Sequence, residues 1–264
     1  MTADTRVEGS VRILRQVPRV LLLWLPPLAL VAAAVASWEA YVQVSGISPV
    51  TLPAPSRVLD ASYGNRSDLW DHSLITLYEA VVGLAVSVSL GVLLALLVDA
   101  SGLLRRALYP LLVTSQTIPI VAIAPLLVLW FGFDLTPKIV VVTLYTFFPI
   151  TVAFASGLAS TDREALVLMH TLGASRVQTL RALRIPQALP YLFTGLRIAV
   201  TYAIIGAVFG EWSGAREGLG IYMLLMKNSF RTDMVFAAIG VTSALSLLLF
   251  LFVGLLERLV VRWR

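Results

Sequence analysis

The 264 residues are 58% hydrophobic and 13% charged, about half the charged share usual in soluble domains. A water-facing surface needs more charge than this, so the composition places the chain in lipid. The net charge of +5 comes from Arg dispersed between apolar segments, which argues against a nucleic-acid partner, and the absence of Cys excludes disulfides, thiolate metal sites and a Cys nucleophile. His72 and His170 stand far apart, so no metal site is expected.

A helix needs about 20 largely apolar residues to cross the hydrocarbon core. Six stretches qualify, 20–41, 75–98, 108–131, 138–158, 190–210 and 235–256, which predicts an all-α integral membrane protein of six transmembrane helices. The first stretch follows Arg6, Arg12, Arg15 and Arg19 and ends near Ala-Ala-Ala-Val-Ala-Ser, as a signal peptide does, but five further spans favour an uncleaved helix. Pro26-Pro27 should bend it. A polar turn over 131–138 separates the third and fourth spans, and only the connections 42–74, 159–189 and 211–234 are long. The expected division is a tail (1–19), a first helix with its linker (20–59), a transmembrane body (60–258, with the loop 159–189) and a short tail (259–264).

Orientation follows Lys and Arg placement. With the N-terminus inside, the cytoplasmic segments carry the four N-terminal Arg, Arg105, Arg106, Arg163, Arg176, Arg181, Arg184, Arg258, Arg262 and Arg264. The other side carries Arg57, Arg66, Lys138, Arg216, Lys227 and Arg231, a bias of about two to one. Both termini are therefore expected in the cytoplasm of a bacterial cell, with the chain in its inner membrane.

Between the fourth and fifth spans lies a basic, amphipathic island over 163–190. Ala165, Leu168, Met169 and Leu172, then Val177, Leu180 and Leu183, recur at helical spacing on either side of Gly173-Ala174-Ser175. Gly173 suits the end of one helix and Ser175 the cap of the next, while Pro186 and Pro190 should break the helix as the chain re-enters the membrane. A helix pair of this kind suits docking of a soluble partner; the alternative is an amphipathic helix lying on anionic headgroups.

Polar groups for a substrate route are sparse. The third span carries Thr114-Ser115-Gln116-Thr117-Ile118-Pro119, the fourth Thr143, Tyr145, Thr146 and Pro149, and the fifth Thr194, Arg197, Thr201 and Tyr202. Gln116, Thr117, Tyr145, Arg197 and Tyr202 are the path candidates, although Ser and Thr in spans more often bond helix to helix and Arg197 could do the same or snorkel. Glu211, Trp212 and Arg216 are read as an outer gate or as docking surface for a binding protein. An ion-coupled carrier working without an ATPase is the alternative class. Such a carrier needs acids at membrane depth, yet Glu39, Asp99 and Glu211 fall near span ends, and no buried acid pair is apparent beside Glu79. No catalytic motif of an intramembrane enzyme is present.

The island resembles the loop that defines permease subunits of ATP-binding-cassette (ABC) importers: Glu-Ala-Ala, three residues, Gly, nine residues, Ile, one residue, Leu-Pro. Gly173 falls at its Gly, Leu183 at its Ile and Ile185-Pro186 at its Leu-Pro, but Val167-Leu168-Met169 replaces the opening triplet and removes its Glu. Whether Glu164, one turn earlier, substitutes stays open. The resemblance covers roughly 60–258, includes Trp130-Phe131-Gly132, Gly210-Glu211-Trp212 and Gly218-Leu219-Gly220, and points to the nitrate, sulfonate, taurine and thiamine-precursor branch. Residues 189–199 are most similar to permeases for the hydroxymethylpyrimidine precursor of thiamine. The resemblance implies the type I importer permease fold with a cytoplasmic coupling helix. It further implies a second permease copy, two ATPase subunits and an external solute-binding protein. Glu164, Leu168, Met169, Leu172, Gly173, Ala174, Ser175, Arg176 and Pro186 would couple to the ATPase. Lys138 and Lys227 are the only Lys and neither follows Gly, so the chain has no phosphate-binding loop; ATP and magnesium would sit on the partner. The cargo would be a pyrimidine of this kind, or a sulfonate, taurine, nitrate or riboflavin.

Overall fold

The computed structural model describes residues 5–262, with side chains from Leu25 onward, so Arg6, Arg12, Arg15, Arg19 and Arg264 lie outside the described side chains. Regular structure among the described residues is entirely helical. In chain order it comprises α1 (Thr5–Ser45), α2 (Pro55–Gly64), α3 (Arg66–Ala100), α4 (Gly102–Ser115), α5 (Ile120–Phe131), α6 (Leu135–Ala159), α7 (Arg163–Thr171), α8 (Arg176–Thr179), a π turn (Leu180–Arg184), α9 (Ile185–Trp212), α10 (Leu219–Asn228) and α11 (Thr232–Val260). Among the described residues, five helices are long and apolar enough to cross a membrane, and α4 with α5 makes a sixth span if the bent pair is taken together.

The stretch predicted as the third span, 108–131, is thus broken into two helices. The chain turns by 94° between α4 and α5. Gln116 and Thr117 close the end of α4 with tight i→i+3 bonds to Val113 O (3.1 Å) and Thr114 O (3.0 Å). Pro119 then supplies no N–H and keeps Ile118 from continuing the helix. At Pro186 and Pro190 the opposite holds: the helix does not break. Ile185 N–H bonds five residues back to Leu180 O, and this wider π turn seats the Pro186 ring and leads directly into α9. α1 likewise runs on through Pro26-Pro27.

The core is a layer in which α6 packs lengthwise against α3 on one side and α9 on the other. Small residues permit the approach. A Cβ at Gly83 would lie 2.5 Å from Val142 Cβ, and one at Gly195 would lie 2.7 Å from Pro149 O. Ala80, Val142, Ala203, Ile204 and Ala207 fill the middle of this layer, and Ala95, Phe154, Leu158 and Ala188 fill the end nearest α7. At the opposite end, the connections 42–74 and 211–234 fold into α2 and α10, which close over Leu69 and Met234 with α11. α1 stands apart, held by Trp38 against Phe236 (5.4 Å) and by Glu39, which accepts from the backbone and hydroxyl of Ser56 at 2.9 and 2.8 Å.

Candidate functional site

The island is a capped helical turn that leaves part of its apolar face exposed. Asp162 caps α7 by accepting the Glu164 N–H (3.1 Å). At its far end Gly173 adopts φ +75°, donating to His170 O, while Ala174 donates to Met169 O, both at 3.0 Å. This pair of bonds is the Schellman stop, which Gly makes without the Cβ clash that other L-residues meet. Ser175 and Gln178 close a reciprocal capping box at the start of α8. Leu172 at the tip is 72% exposed, with Val167, Leu168 and Val177 also exposed around it. Met169 and Ala174 are half-buried, while Glu164 and Arg176 are exposed.

Arg184 fixes this turn to the bundle. Its guanidinium forms a bidentate pair with Asp99 at the end of α3 (2.8 and 2.7 Å) and donates to Leu158 O at the end of α6 (2.8 Å). Asp99, expected to be open to water, is in fact held by this pair, because α3 and the π turn end at the same level.

The broken span places Gln116 and Thr117 at the junction of α4 and α5, where both are exposed. Gln116 Nε2 donates to Ser115 Oγ (3.2 Å), and the Thr117 hydroxyl donates to Thr114 O (2.8 Å). Backbone irregularity at membrane depth is tolerated where it lines protein or a wet cavity. Tyr145 packs against α5 and stacks on Phe209 (6.1 Å), which meets Trp212 edge-on (5.0 Å). Phe209 and Trp212 also line an open cavity of about 460 Å³ between α9 and α11, together with Thr201, Thr242 and Ser246. Tyr202 is exposed one residue away from Thr201. Arg197 instead lies along α11, passing Gly254 and Phe250 to pair with Glu257 at 2.8 Å.

At the other end of α9, Glu211 is fully buried, not at a wetted span end as its position in the sequence suggested. It accepts the Thr76 hydroxyl (2.6 Å) and the Gly220 N–H. Leu219 N–H donates to Thr76 Oγ1 (2.8 Å) and Gly218 N–H to His72 Nδ1 (2.9 Å), so three consecutive amides of the Gly-Leu-Gly segment are clamped by side chains of α3 and α9. Trp212 Nε1 adds a bond to Gly220 O (3.0 Å), while Arg216 is exposed. Gly218, at φ +121°, lies directly over the Glu211 carboxyl, where any Cβ would collide. Burial, with Asp68 nearby, raises the Tyr222 phenol on α10 above its usual range, so its ring against His72 (4.9 Å) stays neutral.

A buried acid pair, not apparent from the sequence, is also present here. Glu79 lies one turn after Thr76, the residue that bonds Glu211, which makes the two carboxyls neighbours, and Lys138 in the first turn of α6 bonds Glu79 at 2.7 Å. The segment around Lys138 had the look of a polar turn. α6 begins before it, however, and carries the ammonium inward. The only available signal was the charge of Glu79 and Lys138 in otherwise apolar segments.

Comparison with known proteins agrees with this architecture. The family described as "Binding-protein-dependent transport system inner membrane component" matches residues 87–262. The formylaminopyrimidine transport permease protein ThiX of Halalkalibacterium halodurans is 43% identical over 228 residues, covering 86% of this chain and 91% of the relative. The riboflavin transport system permease protein RibX of Chloroflexus aurantiacus is 38% identical (86% and 85% covered), and the taurine transport system permease protein TauC of Escherichia coli is 31% identical (86% and 85%). In fold, the chain is similar to the MetNI methionine ABC transporter in an inward-facing form, with a TM-score of 0.59 at 18% identity over 74% of this chain and 94% of that one. The chain belongs to the binding-protein-dependent inner membrane component family and is a permease subunit of an ABC importer.

Proposed function

We propose that this permease imports a small heteroaromatic nutrient, a thiamine-precursor pyrimidine of the formylaminopyrimidine class. The observation that carries the reading is the ordering of relatives: permeases named for a formylaminopyrimidine and for riboflavin, both heteroaromatic, are 43% and 38% identical, whereas a taurine permease is 31% identical. The aromatic ladder of Tyr145, Phe209 and Trp212 beside hydroxyl-bearing residues supports it, since flat rings stack on such faces. The path runs past Gln116, Thr117, Tyr145 and Tyr202; Arg197 holds α9 to α11 beside it.

Two copies of the chain face each other in the bacterial inner membrane, lipid around them and both termini in the cytoplasm. Two ATPase subunits, carrying ATP and magnesium, receive the exposed tips at Leu172, with Glu164 and Arg176 setting register. A solute-binding protein docks outside near Trp212 and Arg216. Closure of the ATPases pushes the turn, Arg184 passes the push to α3 and α6, and the broken third span yields at 116–119.

Uptake by vesicles holding the permease, its ATPase and its binding protein tests this reading. Labelled formylaminopyrimidine should accumulate in an ATP-dependent manner, with taurine and riboflavin poor competitors. Accumulation of taurine in preference to the pyrimidine would overturn it.

A further inference from the structure

The transport reading leaves unused the buried charges where α3, α6, α9 and α10 meet. Glu79 is 1% exposed and Glu211 0%. Glu79 Oε1 takes the Lys138 ammonium, and Glu79 Oε2 is buried with no donor. Its carboxyl neighbour is Glu211, whose own oxygens already accept from Thr76 and Gly220. Two deficits therefore coincide. Two carboxylates against one ammonium leave a negative charge uncompensated in a dry site, and one carboxylate oxygen lacks the hydrogen bond that burial demands. One proton cancels both, because a carboxylic acid donates to the oxygen beside it while the set becomes neutral.

We propose that Glu79 and Glu211 bind a single proton between them, and that the proton-loaded pair latches α10 to the bundle. The proton is taken from water at the α10 end of the bundle. An O–H bond forms on one carboxyl and donates to the other; loss of the proton returns it to water and no electrons move. The latch follows from what Glu211 holds. Its carboxyl caps the first turn of α10 through Gly220, next to the His72 and Thr76 bonds to Gly218 and Leu219. With the proton gone, two carboxylates in contact repel, and Glu211 is driven against the backbone of Gly218 that covers it. The groups that touch the pair are Thr76 on α3 and Lys138 on α6, while His72 and Tyr222 stack on each other beside Gly218. Asp68, Arg231 and Asp233 lie beyond Tyr222. That α10 is an outward gate rests on the transport reading; the proton site does not.

Infrared spectroscopy of the full-length permease in lipid nanodiscs, titrated with acid and base, tests the site. At neutral pH the wild type should show a protonated-carboxyl C=O band that shifts in D2O and disappears in Glu211→Gln or Glu79→Gln. Glutamine is isosteric and supplies a permanent N–H in place of the proton. Hydrogen exchange of the 218–220 amides, corrected for intrinsic rate, should quicken roughly tenfold when the wild type is made alkaline and stay flat in Glu211→Gln. No exchangeable carboxyl band in the wild type, or a band retained in both variants, overturns the proposal. The wild-type spectrum alone decides if a variant fails to fold. Neither readout depends on the cargo, so failure of the pyrimidine reading leaves this result standing, and the reverse.

Discussion

Arg184 and Asp99 join two parts of the chain 85 residues apart, through paired bonds of 2.8 and 2.7 Å between one guanidinium and one carboxylate. The third bond of that guanidinium, to Leu158 O, makes the pair a three-way joint of the π turn, α3 and α6. Together with the apolar contacts of Leu180 and Ile185 against Ala95, Phe154 and Leu158, this side chain ties the exposed turn to two core helices.

Replacing Arg184 with Ala should destabilise the protein by about 2 kcal/mol, less than the 3–5 kcal/mol of a fully buried pair because both side chains retain some water contact. Arg184→Lys should recover only part of this, since an ammonium lacks the fork that engages both carboxylate oxygens. Thermal unfolding in detergent compares the three proteins. Equal melting temperatures would show that the joint bears no load.

Gly173 has open space around it, so substitutions there test backbone conformation alone. Gly173→Val should cost about 1–2 kcal/mol in the turn and weaken ATPase association, whereas Gly173→Asn should be tolerated because Asn enters the left-handed region more readily. Co-purification of the ATPase with each variant measures the effect. Normal association of the Val variant would separate the turn from docking.

Leu172→Asp should leave thermal stability within about 0.5 kcal/mol of wild type, because the side chain is 72% exposed. ATPase affinity should fall by roughly thirtyfold, the loss expected of an interface anchor worth about 2 kcal/mol. Titration of purified ATPase against nanodisc-held permease reads the difference. Unchanged affinity would move the docking surface elsewhere.

Gln116→Ala should lower pyrimidine uptake by about tenfold, the net value of one hydrogen bond to the cargo, with the ATPase still bound. Initial uptake rates, measured alongside ATPase content, check it. Full uptake would remove Gln116 from the path.

Composition and local pattern are enough to read the solvent, the apolar spans and the shape of the turn over 163–184. Those properties are local or compositional: apolar runs of bilayer length, a Gly where a helix must stop, a Ser where the next must start. Gly173 and Ser175 take these roles because each cap is built within five residues of chain. The π turn before Pro186 was not legible, since the same Pro ends a helix in one setting and is seated by a widened turn in another.

Which charges meet is settled by how the helices pack. Glu79, Lys138 and Glu211 sit on three helices, and their contact depends on how deeply α6 and α9 slide along α3, which the Gly and Ala packing surfaces set. Linear distance carries no record of that depth. Burial, which turns an ordinary acid into half of a proton site, is a property of the assembled bundle.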